Sequence, residues 1–428
     1  MYIINEKLRR VPEKIKFTVL PMLVFIFSFF LATQLGKHFF FSFSYLSGIR
    51  IDYLAPTLYF TDVFSIPFIF LSIQSLFRIK HQLVLYIKNN ILYFALFVLL
   101  IFINYYFSLS KELWFYTSTR IIQWLLVFYF FKQKGRNKNI YVALLSGLLC
   151  GALLELTLTL QQLSLRHSLQ GVWYYFGERR FAITTPGIAK AYLFGKEFLR
   201  PYGTFSHPNS MGGFYLLIYT FVLTQKRITN QLFKSMLLIL CSLLILISFS
   251  RSALVIYVIL NFLYFSRSVF QCRVCTISKV AVALFLVFIA INISGDRNSF
   301  DKRTDFVYKS AQIIIKWPLS GTGAGSYLIA QHDYPQKFSS FFEQPVHNIF
   351  LLLVAQLGVP LSFLVFASIF QTMKARSTLL LFFLPFLSIV LSGIVDHYWL
   401  TLQQNMLVTA VIFGILFTYE DKKTSPRN

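Results

Sequence analysis

Three short polar stretches interrupt an otherwise apolar chain, and each carries side chains that bind anions or move protons. Arg200-Pro201-Tyr202-Gly203-Thr204-Phe205-Ser206-His207-Pro208-Asn209 stands directly before an apolar helix. Ser250-Arg251-Ser252 is wedged between two apolar helices, and His347-Asn348 opens another. A guanidinium is a planar fork that matches phosphate oxygens two at a time. An imidazole, with an unperturbed pKa of about 6.5, is the side-chain type suited to act as a base near neutral pH. Pro208 fits the first turn of a helix, where its missing N–H costs nothing, and Ser206 or His207 can cap that turn. The helix N-terminus adds partial positive charge beside Arg200. The stretch therefore reads either as a phosphate site shaped by Gly203, His207 and Asn209, or as an ordinary capped helix start. Arg251 either snorkels to water from a membrane edge or grips phosphate. His347 is either a satisfied packing residue or a base, with Asn348 placed to orient its ring or meet a sugar hydroxyl. Three such groups at the mouths of separate helices, on one side of a bundle, suit an anionic lipid-linked substrate better than a pore.

Other chemistries lack their residues. The chain has 16 acidic residues and no D-x-D, whereas a hard cation needs a carboxylate cluster. Asp301 and Asp305 are explained by the start of a helix, which favours acids. No G-x-S-x-G nucleophile elbow occurs. Cys150 and Cys241 lie in apolar runs, and Cys272 and Cys275 form a lone CxxC, short of the four ligands of a structural zinc site. No metal, disulfide or cofactor is expected. The apolar interior is sparing in ionisable groups, chiefly Asp62, Arg120 and Glu155, with Asp396 at an outer helix end; an ion-coupled transporter places several at mid-membrane. Arg120 reads equally as a partner of Asp62 or as a group reaching into the cavity.

These residues need helices to hold them. Of 428 residues, 56% are hydrophobic and 13% charged, with a mean hydropathy of +0.63. A soluble domain carries about a quarter charged residues. Apolar runs of about 17–25 residues, each long enough to cross a bilayer, recur throughout. The expected fold class is all-α: a polytopic transmembrane helical bundle of about 12 spans. The spans fall at 17–35, 54–74, 91–109, 113–131, 140–161, 209–224, 232–249, 253–265, 279–293, 347–370, 378–395 and 398–418. The run at 17–35 follows Lys7, Arg9, Arg10, Lys14 and Lys16, yet is long and lacks an A-x-A cleavage site; it reads as a retained helix. The net charge of +24 would point to nucleic acid in a soluble protein. Here it is topology signal, because Lys and Arg mark every second loop. That pattern places both termini in the cytoplasm and excludes a nucleic-acid partner.

Residues 1–428 read as a single integral membrane domain with two long external loops, 162–208 and 294–346. Each loop holds six cations on the side where topology does not require them. They are either plain solvated surface, since long loops translocate regardless of charge, or a basic face that gathers anionic headgroups and phosphates. Both loops are expected to carry amphipathic helices. In 303–316, Phe306, Ile313 and Ile314 alternate with Arg303, Asp305, Lys309 and Lys316 at helical spacing, as in a helix lying on the membrane surface. A turn at Trp317-Pro318-Leu319-Ser320-Gly321 ends it, followed by Gly323 and Gly325, which reads as a flexible turn more readily than as a phosphate cradle.

The ordered set R-P-Y-G-T-F-S-H-P-N at 200–209, S-R-S at 250–252, W-P-L-S-G-T-G-A-G-S-Y at 317–327 and H-N-I-F-L-L-L-V-A-Q-L-G at 347–358 resembles the O-antigen ligase / O-antigen polymerase family of bacterial envelope glycosyltransferases. The resemblance implies a multi-pass enzyme of the bacterial inner membrane with its active site facing outward. The implied donor is an undecaprenyl-pyrophosphate-linked glycan, and the acceptor another glycan or lipid A-core. It implies that Arg200 and Arg251 hold the pyrophosphate and that His347 takes the acceptor's proton. Gly203, His207, Asn209 and Asn348 would shape the site, Arg303 and Arg120 being weaker candidates, and the transfer would be inverting and metal-independent. Membrane lipids are the remaining partner. Two readings of other classes stand beside it: a carrier or flippase for an anionic lipid-linked saccharide, and a non-catalytic envelope scaffold.

Overall fold

The computed structural model describes residues 13–193, 195–266, 299–335, 343–374 and 380–418, with residue 337 and seven residues between 284 and 293. Lys7, Arg9 and Arg10, the Cys272/Cys275 pair, most of the expected 279–293 span and the C-terminal cations fall outside them. The described residues are mostly helical, in keeping with an all-α class. The long helices are α1 (Glu13–Phe29), α2 (Phe60–Arg78), α3 (Lys80–Asn89), α4 (Ile91–Tyr106), α5 (Lys111–Lys134) and α6 (Lys138–Leu165). They continue as α7 (Pro208–Thr224), α8 (Gln231–Ile247), α9 (Arg251–Ser266) and α10 (Ser299–Lys316). The short α11 (Tyr327–His332) is followed by α12 (Ile349–Leu357), α13 (Val359–Lys374), α14 (Leu380–Gly393), α15 (Tyr398–Thr401) and α16 (Gln403–Phe417).

Among the described residues, α2 and α6 are long and apolar enough to cross a membrane alone. The pair α3 and α4 passes together but is bent by 92° at its break. Shorter apolar helices make up most of the rest.

The core is built around α7, whose residues are all buried, as expected of a helix that is apolar on every face. It packs against α8, α9, α14 and α16. Gly212 and Gly213 permit the closest approaches, because a Cβ there would lie 2.9 Å from Ser248 Oγ and 2.1 Å from the Tyr398 hydroxyl. The same device joins α1 to α6: a Cβ at Gly147 would sit 2.5 Å from the Phe25 carbonyl, and one at Gly151 2.8 Å from that of Phe29. Small residues spaced four apart let two helix backbones meet where apolar driving force between helices is weak.

Several sequence expectations are corrected. The single span expected at 347–370 is two helices, broken at Gly358 (φ +77°). The break is fixed by tertiary contact: Val359 N donates to Pro318 O at 2.8 Å, and a Cβ at Gly358 would lie 2.4 Å from the Leu319 carbonyl. The span at 398–418 is likewise split, with Leu402 extended between α15 and α16. The expected amphipathic helix in 162–208 is not found among the described residues of that loop. A 3-10 segment (Gly171–Phe176) and a hairpin, Lys190–Leu193 against Lys196–Leu199, occupy it instead. Gly195, with φ +78°, supplies the turn that a helix cannot accommodate. The other amphipathic helix is present as α10.

The run Gly321-Thr322-Gly323-Ala324-Gly325 is a turn packed closely against other parts of the chain. Its three glycines take φ of 64°, 89° and 81°. Cβ atoms there would lie 2.4, 2.0 and 2.4 Å from Gln356 O, Ser108 Oγ and Thr117 Oγ1. Three of its amides are already engaged: Gly321 N donates to Trp317 O, Thr322 N to Ala355 O and Gly323 N to Gln356 O.

The segment joining α1 to α2 forms two small hairpins, Gly36–His38 with Thr57–Tyr59 and Tyr45–Leu46 with Ile49–Arg50. Its signal was Ser47-Gly48, which take φ of 47° and 78° in the two-residue turn of the second hairpin.

Replacing Gly147 by leucine should separate α1 from α6. The expected result is a melting temperature in detergent several degrees below wild type, as overpacking of about 1–3 kcal/mol implies, checked by a thermal shift against Val142→Leu, at an exposed position of the same helix.

Candidate active site

The 200–209 segment is held from beneath by three buried polar side chains. Glu155 accepts hydrogen bonds from the Thr204 hydroxyl and, at 3.0 Å, from Thr204 N. Gln162 Oε1 accepts from Tyr202 N and Gly203 N at 2.9 and 2.8 Å, and its amide donates to Glu178 Oε1 at 2.8 Å. Gly203 is required here: its φ is +58°, and a Cβ would lie 2.1 Å from Glu155 Oε2. The turn so fixed delivers Arg200 and His207 to the N-terminus of α7. His207 caps that helix, its Nδ1 accepting from Asn209 N at 3.1 Å. Arg200 Nε donates to Ser248 O at 3.1 Å, in the turn before Arg251, and Nη2 donates to Asn209 Oδ1 at 2.5 Å. Phe249 in that turn has a left-handed φ of 48°, a conformation uncommon for a large side chain. Arg251 opens α9, exposed and without a hydrogen bond or ion pair to any described residue.

The centre of the cluster is Asp396, between α14 and α15. Its Oδ2 accepts from Asn209 Nδ2 at 3.0 Å, and its Oδ1 from His397 N at 2.8 Å. His347 Nδ1 lies 3.4 Å from the same Oδ1. His347 Nε2 is 3.3 Å from Gln344 Oε1, and its ring centroid is 5.0 Å from that of His397. Asn348 caps α12 through Phe350 N and Leu351 N, while its amide donates to Ile394 O at 3.1 Å. Asn348 thus ties the start of α12, and with it His347, to the chain just before Asp396. Arg303 on α10 reaches over the same segment, its Nη1 3.4 Å from Val395 O.

The electrostatics favour an anion. Burial lowers the Arg200 pKa to about 10; Tyr202 and Asp396 oppose that shift, while Arg251 and Arg303 add to it. The group stays charged at neutral pH. Burial, and then the Arg200 charge, pushes His207 down to about 3, and burial does the same to His397. Both rings are neutral at pH 7. Burial works against the Asp396 carboxylate, but the hydrogen bond and charge of His347, followed by the neighbouring imidazoles, carry its pKa below the ordinary range. It is ionised in the site.

The structure brings Arg200, Gly203, His207, Asn209, Arg251, Arg303, His347 and Asn348 to one end of the bundle. It does not bring Arg120. Arg120 Nη1 donates to Asp62 Oδ1 at 2.7 Å and to Gln123 Oε1 at 3.0 Å, and Nη2 donates to Thr57 O. Tyr59 and Tyr116 flank its guanidinium at 5.3 and 5.0 Å. Arg120 is thus paired with Asp62, as the first of the two sequence readings has it.

Sequence reasoning missed Asp396 as a partner, and missed His397, Gln162 and Gln344. The adjacent Asp-His between two apolar runs was the available signal. His347, Asp396 and His397 each offer a ligand atom, all within 4.8 Å of one another, so a divalent cation has a three-donor set here. The expectation of no metal was drawn without that set in view. Arg200 and Arg303, whose charges reach the same groups, oppose a cation.

Two measurements test this description. The unfolded chain takes up protons on His207 and His397 below about pH 6.5, whereas the folded one does not until about pH 3. Lowering the pH through that window therefore favours unfolding. The melting temperature should fall between pH 7 and pH 5, and fall less in His207→Gln. Arg120→Ala should cost about 3–5 kcal/mol by stranding Asp62, and Arg120→Ala with Asp62→Asn should recover part of the loss in the same melting assay.

Comparison with known proteins adds one finding. No curated protein matches the chain. Residues 236–366 match the family model described as O-Antigen ligase. The matched stretch includes Arg251, Arg303, His347 and Asn348; Arg200, Asn209 and Asp396 lie outside it. It supports, in general terms, an O-antigen ligase-type membrane enzyme. Over residues 236–366 the chain is thus similar to the O-antigen ligase domain, which supports the O-antigen ligase/polymerase family that its ordered motifs resemble.

Proposed function

We propose that the protein is a membrane glycosyltransferase that transfers or polymerises undecaprenyl-pyrophosphate-linked glycan on the outer face of the bacterial cytoplasmic membrane. Both termini face the cytoplasm, and the acceptor is a second glycan or a lipid A-core. The observation that carries the proposal is the convergence on Asp396: His347 on one carboxylate oxygen, and Asn209, hydrogen-bonded to Arg200, on the other.

In this reading His347 Nδ1 turns toward Asp396, which leaves Nε2 to take the proton of the acceptor hydroxyl. The oxygen attacks the anomeric carbon from the face opposite the leaving group. As the new C–O bond forms, the bond to the pyrophosphate oxygen breaks, and its electron pair leaves with undecaprenyl pyrophosphate. The anomeric configuration is inverted. Arg200 and Arg251 meet the charge that develops on the leaving group, a contribution that fixed cations make without reorganisation. Asp396 stabilises the imidazolium and fixes the ring's orientation, as a buried carboxylate beside a catalytic histidine does.

A cation ladder along a path through the bundle would favour a carrier. Arg200, Arg251 and Arg303 instead act on one another at one end of it, which supports the transferase. With arginines meeting the pyrophosphate charge, transfer needs no metal.

Purified protein should transfer glycan from undecaprenyl-pyrophosphate donor with EDTA present. His347→Ala should lower the rate by about 10²–10⁴-fold, and Arg251→Ala should raise the KM for donor. Donor binding that depends on Arg251 without any transfer would identify a carrier. Unchanged surface glycan in cells carrying His347→Ala would identify a scaffold.

A further inference from the structure

The segment joining α1 to α2 runs up to the cluster with its aromatic side chains uncovered. Tyr53 is 40% exposed, yet its ring packs edge-on against His397 with centroids 5.7 Å apart. His397 lies next to His347. One residue before Tyr53, Asp52 pairs with Arg50 at 3.3 Å, both side chains more than half exposed. Arg50 lies over the Phe40 ring at 4.7 Å, and Phe40 stacks on His38 at 6.0 Å and approaches Tyr45 at 6.4 Å. Successive contacts thus lead from His347 to an open face of rings and one ion pair. Arg179 frames the same opening. It donates to Ser206 O at 2.8 Å and lies over the Tyr202 ring at 5.7 Å, and its charge, with that of Asp396, acts on Tyr53.

We propose that Tyr53, backed by Arg50 and Asp52, is the receiving subsite for the acceptor saccharide; the proposal rests on the transferase reading. A sugar ring presents an apolar C–H face that stacks on an aromatic ring, and hydroxyls that pair with charged and amide groups at its edge. Binding sites of this kind are lined by aromatic side chains with a few placed polar groups. Charge separates this subsite from the donor's. Arg200 and Arg251 present guanidinium charge suited to pyrophosphate, whereas Arg50, near Tyr53 in the chain, is neutralised by Asp52. Contact decides against a purely interfacial role for Tyr53. An aromatic that only anchors a membrane surface has no need of a ring contact with the neighbour of His347, nor of an exposed ion pair beside it.

The test has two arms, using the glycolipids that accumulate in cells lacking this chain. In the first, donor and acceptor concentrations are varied separately for wild type, Tyr53→Ala and Tyr53→Phe. Tyr53→Ala should raise the acceptor KM by about tenfold and leave the donor KM unchanged, while Tyr53→Phe, which keeps the ring, stays within about twofold. In the second, the acceptor oligosaccharide freed of its lipid is titrated into the solubilised full-length protein and followed by tryptophan fluorescence. Tyr53→Ala should weaken binding by a similar factor, and Arg251→Ala should not. An unchanged acceptor KM, equal rises in both KM values, or binding indifferent to Tyr53 would overturn the subsite. Tyr53-dependent binding by a wild type that transfers nothing would overturn the transferase reading and leave the subsite standing.

Discussion

Asp396 is the contact on which the candidate site depends. A buried carboxylate is costly unless every lone pair is answered, and here the answers come from separate parts of the chain. Asn209 reaches it from the start of α7, the His397 amide from its own turn, and His347 from the start of α12. Arg200 joins at second hand through Asn209. The satisfaction of one anion therefore fixes the relative placement of helix ends far apart in sequence, and sets a titratable ring between that anion and an opening.

A second buried carboxylate does related work one layer down. Glu155 and Gln162, on α6, occupy the amides of residues 202–204, which leaves the following His207 and Asn209 free to serve the α7 terminus. Helices α1 and α6 meet through Gly147 and Gly151, and α6 in turn carries this support. Backbone-close packing of helices is thus coupled to the geometry of a loop that bears the chemistry. In the proposed transfer this rigidity would serve the chemistry, because preorganised groups stabilise developing charge only if they need not move to do so.

Much of the site was legible from local pattern. Arg200, Arg251 and His347 were readable because charged groups at the edges of long apolar runs stand out against a chain with so few of them, and α10 was readable from its helical alternation. The breaks were not. Residues 347–370 are continuously apolar enough to pass for one helix, and Gly358 reveals itself only through Pro318 and Leu319, which come from another segment. The glycines at 321, 323 and 325 look permissive in sequence, yet contacts from three other places in the chain hold them. Asp396 was visible as an acid at a helix end, but its partners lie 187 residues away at Asn209 and 49 away at His347.

The sequence by itself determined that this is a membrane protein, that it is chiefly helical, and that guanidinium and imidazole groups stand at helix mouths. Composition and periodicity are local properties, and the bilayer's demand for satisfied backbone groups converts them directly into helices. Only the tertiary structure decided that His347 faces Asp396, that Arg120 pairs with Asp62, and that Tyr53 stands beside His397. Each is a contact between distant segments, and such contacts depend on how helix backbones pack, which no single stretch of sequence encodes.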